Sequence, residues 1–116
     1  MDSSGELVLD VSWRGLASVV RLTGAVGMAE ASMLSLQLEK LVQKPGAMVV
    51  LDMEHLDFMC SSGLGALLSA HAKARSLQGQ VFLANPSPMV MRLLETTRLT
   101  NLFEVFPSVD EALEGK

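Results

Sequence analysis

The side chains best placed to do chemistry stand together at Cys60-Ser61-Ser62, followed at once by Gly63-Leu64-Gly65. Two hydroxyls where a helix should begin admit two roles. A serine there caps the helix by accepting a free backbone N–H. The same N–H groups and the helix dipole also favour an anion, so the position suits a phosphoryl group. Phosphorylation would add roughly −1.5 to −2 charge at pH 7, against a dipole contribution of only about 0.3–1 kcal/mol. A switch built this way acts on a docking surface rather than on the fold.

Other chemistry has less support. Cys60 could be a thiol nucleophile with a pKa lowered by a helix N-terminus, yet no Cys/His/Asp constellation accompanies it. Of the two histidines, His55 stands in an acidic stretch and His71 on a helical stripe, where packing is the ordinary role. One cysteine and two histidines without close spacing give no zinc site. Asp52, Glu54 and Asp57 could form an acid/base pair or hold magnesium. More simply they form a solvated loop beyond a strand end, with Asp52 within reach of the Ser-Ser turn. No catalytic residue, metal or cofactor is expected.

These residues need a strand before them and a helix behind. Met48-Val49-Val50-Leu51 is a near-continuous apolar run, the pattern of a strand buried on both faces. Leu64, Leu67, Leu68, His71 and Ala74 recur at helical spacing, which predicts a helix from Ser61 to Leu77 ended by Gly79. Gly63 and Gly65 each cost that helix about 1 kcal/mol relative to alanine. Close packing on the sheet or an exposed backbone for a partner would explain them. They are no dinucleotide motif, because the third glycine is missing.

Upstream, Leu7, Leu9, Val11 and Trp13 alternate with polar residues and predict a half-buried strand, with a turn at Arg14-Gly15. Ser18–Thr23 is the second strand, ended by Gly24. A helix follows over Met28–Gln43 with Leu34, Leu38, Leu41 and Val42 inward, broken by Pro45-Gly46. Downstream come a strand at Val81–Ala84, a stiff Asn85-Pro86-Ser87-Pro88 loop and a helix carrying Val90, Leu93 and Leu94. A short strand around Phe103–Phe106 and a last helix, capped by Ser108 with Glu111 and ending near Glu114, complete the chain. The order β-β-α-β-α-β-α-β-α predicts a single α/β domain over residues 6–116, with a mixed sheet of about five strands and about four helices. Residues 1–5 read as a flexible end. Working sites in such sheets gather at the carboxyl ends of strands, where 53–63 lies.

Composition bounds the rest. With 116 residues, 49% hydrophobic and 19% charged, the chain can bury one core without metal or disulfide staples. Its net charge of −4 opposes a general nucleic-acid surface. A single cysteine suits a reducing compartment. No signal peptide and no apolar run of about 20 residues is present, so a cytoplasmic protein without a membrane span is expected. Of the eight methionines, Met33 and Met48 are expected in the core. Met28, Met53, Met59, Met89 and Met91 fall near element ends, where adaptable side chains suit a protein surface. Met59 is the best contact among them.

Leu51-Asp52-Met53, Leu56-Asp57-Phe58-Met59 and Ser61-Ser62-Gly63-Leu64-Gly65 together resemble the signature of the STAS domain, the anti-sigma factor antagonist family. Arg21-Leu22-Thr23-Gly24, Asn85-Pro86-Ser87-Pro88 and the segment from Leu93-Leu94 to Leu99-Thr100-Asn101-Leu102-Phe103 extend the resemblance over nearly the whole length. It implies a non-enzymatic switch. Ser61, with Ser62 as the alternative, would be phosphorylated by a serine kinase that is itself an anti-sigma factor, and a phosphatase would reset it. The partner surface it implies comprises Gly24, Gly27, Met28, Asp57, Met59, Cys60, Ser61, Ser62, Gly63 and Gly65. Two positions depart from the pattern. Cys60 stands where the family has an aspartate, and Gly24 is followed by Ala25, Val26 and Gly27 instead of a Gly-Glu-x-Asp run. The departures point to a second reading, a STAS module that is never phosphorylated and serves as a constitutive scaffold or subunit of a signalling or transporter complex.

Overall fold

The computed structural model describes residues 7–114, so the expected loose end at 1–5 lies outside the described residues. The elements run β1 (Leu7–Arg14), β2 (Ala17–Val26), α1 (Met28–Leu41), β3 (Met48–Met59), α2 (Ser61–Ser76), β4 (Gln80–Ala84), α3 (Pro88–Thr96), a 3-10 turn at Leu99–Asn101, β5 (Val105–Phe106) and α4 (Val109–Glu114). The sheet order is β1-β2-β3-β4-β5. β1 is antiparallel to β2, and every other neighbouring pair is parallel. This is the predicted mixed α/β sheet, joined as the alternation of strands and helices requires.

The sheet is covered unequally. On one face Val20, Leu22, Val49, Leu51, Val81 and Leu83 meet Leu34 and Leu38 of α1, Leu64 and Leu67 of α2, and Val90 and Leu94 of α3 in the main core. On the other face α4 brings Ala112 against Val19, Val50, Phe82 and Ala84. Because α1 and α2 pack side by side, α2 buries Ala66 and Ala70 as well as Leu64 and Leu67. Small residues there let the helices approach closely.

Four expectations need correction. β2 continues through Gly24, which takes φ 107 inside the strand instead of ending it. β3 reaches Met59, so the stretch read as an acidic loop is strand. Its pairing with β2 slips between Arg21/Thr23 and between Gly24/Ala25, each time giving β3 one extra residue. These bulges replace alternation by burial at Met53, Leu56 and Met59, a spacing of three that hides the strand. In β1, Val11 and Trp13 are exposed, because the helices cover Leu7 and part of Leu9 but not the far end of this edge strand. Met33 is also exposed, whereas Met53 and Met59 are buried.

Glycines mark the close approaches. At the end of α2 the left-handed residue is Gln78, with φ 67, rather than Gly79. Gly79 donates to the Ala74 carbonyl at 2.7 Å, and a Cβ on it would run into the backbone of Ala47. α3 starts as expected, with Ser87 Oγ accepting from Val90 N at 3.4 Å and Pro88 in the first turn. Ser108 Oγ accepts from Glu111 N at 3.0 Å at the start of α4.

Candidate functional site

The middle strands β2 and β3 end side by side, with Val26 paired to Met59, and each passes directly into a helix. The N-termini of α1 and α2 therefore share the carboxyl edge of the sheet. Cys60 N donates to the Val26 carbonyl at 2.8 Å, which ties the head of α2 to the end of β2.

The two helix heads are finished differently. Gly27 caps α1, and its N–H donates to Glu30 Oε1 at 3.1 Å, so a carboxylate already faces that dipole. At α2 the N-cap is Cys60, not a serine, and no side chain makes a cap hydrogen bond. Its carbonyl accepts from Leu64 N at 3.1 Å, and the N–H groups of Ser61, Ser62 and Gly63 precede the first intrahelical bond. No acidic residue occupies the first turn. Ser61 and Ser62 are the first two helical residues and both are exposed. The hydroxyls thus sit at an open donor end without an internal counter-charge.

The sequence-predicted surface divides here. Met28 is 79% exposed, Asp57 is exposed on β3 beside a bulge, and Cys60, Gly27 and Gly65 are half-buried. Met59 and Gly63 lie beneath the surface. A Cβ on Gly63 would come within 2.6 Å of Met59 Cγ and 2.8 Å of Val26 Cγ1, so this glycine is required by packing of the helix head on the strand ends. Around Gly65 nothing lies within 4 Å of a built Cβ. Gly24 is paired with Leu7 on one side and Leu56 on the other, which engages its backbone in the sheet.

Sequence reasoning missed Phe58, which is 44% exposed near the start of α2. Its exposure follows from the second bulge, and no sequence period signals it. It also missed Glu30 as the cap of α1, for which the only signal was a glutamate three residues after Gly27.

Asp52 is not at the Ser-Ser turn. It is buried on the α4 side of β3, where Oδ1 accepts from Glu54 N at 3.2 Å and from Asn85 Nδ2 at 3.5 Å. Arg21 Nε lies 3.6 Å from its Oδ2. Asp52 therefore holds the first bulge of β3 and the loop after β4, away from Ser61. Cys60 has no histidine at hand along α2, because His71 stands three turns on, about 16 Å away. Among the described residues no group of three or more His, Cys, Asp or Glu could hold a metal ion. No helix among them is long and apolar enough to cross a membrane.

Comparison with known proteins agrees with this architecture. The STAS domain family matches residues 9–112. An anti-sigma F factor antagonist of Paenibacillus polymyxa is 30% identical over 98 residues, covering 84% of this chain and 81% of its own. Among solved structures, an anti-sigma factor antagonist from Mycobacterium paratuberculosis superposes with a TM-score of 0.86 at 24% identity, covering 99% of this chain and 97% of that one. SpoIIAA in its unphosphorylated form gives 0.77 at 20% identity, covering 92% and 94%. The phosphorylated form of Bacillus SpoIIAA gives 0.72 at 20% identity, covering 92% and 97%. With the family match spanning most of the chain and the sheet, helices and strand-end site arranged as described, the protein belongs to the STAS domain, anti-sigma factor antagonist family.

Proposed function

We propose that this protein is a cytoplasmic anti-sigma factor antagonist that binds a serine kinase/anti-sigma factor and is released by phosphorylation of Ser61, with a phosphatase resetting it. The observation that carries the reading is the head of α2, where exposed hydroxyls occupy the first two positions of an uncapped helix. Met28, Phe58 and Cys60 give the unphosphorylated docking surface apolar contacts beside the single carboxylate of Asp57. A dianion introduced there would have to be desolvated on docking, which opposes close contact more strongly than any effect on the helix itself. Transcription is regulated through the sigma factor that the partner holds or frees.

The test is incubation with Mg·ATP and soluble extract of the native host, followed by mapping of phosphate by mass spectrometry. Phosphate on Ser61, lost in Ser61→Ala but kept in Ser62→Ala, is the expected result. Phosphate on Ser62 alone would keep the switch and move the acceptor.

A second reading rests on Cys60 in place of an aspartate and on Ala25, Val26 and Gly27 in place of a Gly-Glu-x-Asp run. Without those carboxylates the chain would be a constitutive binding module. An extract that phosphorylates another STAS substrate but leaves this chain unmodified would establish it. Gain of phosphate in Cys60→Asp would identify the missing carboxylate as the cause.

A further inference from the structure

We propose that the outer edge of β1 is a homodimer interface, in which two copies pair antiparallel about a two-fold axis at Ser12. β1 is the terminal strand of the sheet, with eight residues in unbroken register against β2 from Leu7↔Gly24 to Arg14↔Ala17. Of the devices that protect free edges it has no proline, no lysine and no bulge, and its two charges, Asp10 and Arg14, are opposite in sign. It also carries apolar side chains in the open: Val11 is 40% exposed and Trp13 57%. Both lie on the helix-covered face of the sheet, since Val11 pairs with the core residue Val20 and Trp13 with buried Ser18.

The occupant follows from charge. β1 contains one acid and one base, Asp10 and Arg14. Only an antiparallel self-pairing centred on Ser12 sets Asp10 of each copy opposite Arg14 of the other. That same register sets Val11 opposite Trp13, twice, on the helix-covered face. Centring on Asp10 would instead oppose like charges, and centring on Val11 would leave both charges unmatched. Both groups are available. Asp10 makes no ion pair within 4.0 Å among the described residues, since its cross-strand neighbour Arg21 is turned to Asp52. Arg14 meets Asp110 at 3.4 Å in an exposed contact that leaves the guanidinium free to re-pair. Opposed charges and apolar pairs across neighbouring strands are what stabilises such a ladder. A pairing of this size ranks with weak, reversible interfaces.

Trp13 is the only tryptophan, so its emission reports the interface directly. Sedimentation velocity on the full chain should show a monomer passing to a dimer between about 10 µM and 1 mM, with a parallel blue shift of emission as Trp13 leaves water. Asp10→Arg and Arg14→Asp should each weaken the dimer about tenfold or more, by turning two attractive pairs into two repulsive ones. An equimolar mixture of the two variants should recover association, because every cross-strand pair in the heterodimer is again opposite in sign. Circular dichroism matching the wild type controls for folding at these exposed positions. A chain monomeric throughout the range overturns the proposal. So does a dimer that ignores both substitutions, or one that forms without a shift in Trp13 emission.

Discussion

At the scale of single residues, the two glycines at the head of α2 look alike in sequence and differ in physical role. Gly63 packs on Met59 and on the β-branched Val26, both fully buried. Gly63→Ala is therefore expected to destabilise the domain by about 1–3 kcal/mol, as overpacking in a filled site does. Gly65→Ala meets open space, and should stabilise the helix by about 1 kcal/mol. Urea denaturation of the two variants decides this, and equal effects of the same sign would contradict it. Because Gly65→Ala is expected to fold well, any loss of partner binding it causes reads directly on docking. Asp52 is a second case. Removing its carboxylate in Asp52→Ala leaves Glu54 N and Asn85 Nδ2 without their partner at a partly buried bulge, at a cost of about 1 kcal/mol. Arg21→Met should cost less than about 1 kcal/mol, since that side chain is half exposed. A neutral Asp52→Ala would show that the bulge holds without its carboxylate.

At the scale of elements, α2 is tied to the loop before β5 by His71, whose ring centroid lies 4.7 Å from that of Phe103. His71 Nδ1 is buried and has no hydrogen-bond partner. Burial lowers its pKa below 6.5, and the charge of Arg75, one turn on, lowers it further. The unfolded chain therefore binds this proton first as pH falls. Stability associated with neutral His71 is complete above about pH 6.5 and declines below it, until the folded pKa is passed. Thermal melts from pH 7.5 to 5.5 should fall more steeply for the wild type than for His71→Leu, and parallel slopes would refute the assignment. The histidine's place on the inward stripe was legible from its spacing, as were the order of elements and the head of α2. The extent of β3 was not. Period-two alternation is the signal of a strand, and two bulges within twelve residues erase it. The same bulges concealed Phe58. The exposure of Val11 and Trp13 was also unreadable, because it depends on how far α1 reaches over the sheet and not on the strand's own pattern.

At the scale of the molecule, the site is built where the two strands that lead into α1 and α2 end together. β3 pairs with β4 only over Met48–Asp52, so beyond Asp52 its partner is β2, with Val26 joined to Met59 and Cys60 hydrogen-bonded across to Val26. A phosphate at the head of α2 meets free N–H groups and a dipole that no carboxylate has neutralised, which favours the folded state by about 0.3–1 kcal/mol. Phosphorylation of Ser61 is therefore expected to raise the melting temperature by up to a few degrees, not to lower it. Its reach through the structure should be short, because the strand ends beneath it are close-packed around Gly63. Hydrogen exchange on the phosphorylated and unmodified chains should differ over residues 26–28 and 58–64 and coincide in β4, α3 and β5. A drop in melting temperature, or altered protection spreading into β4, would mean that the modification acts by rearranging the domain. The surface account would then fail, even if Ser61 were the acceptor.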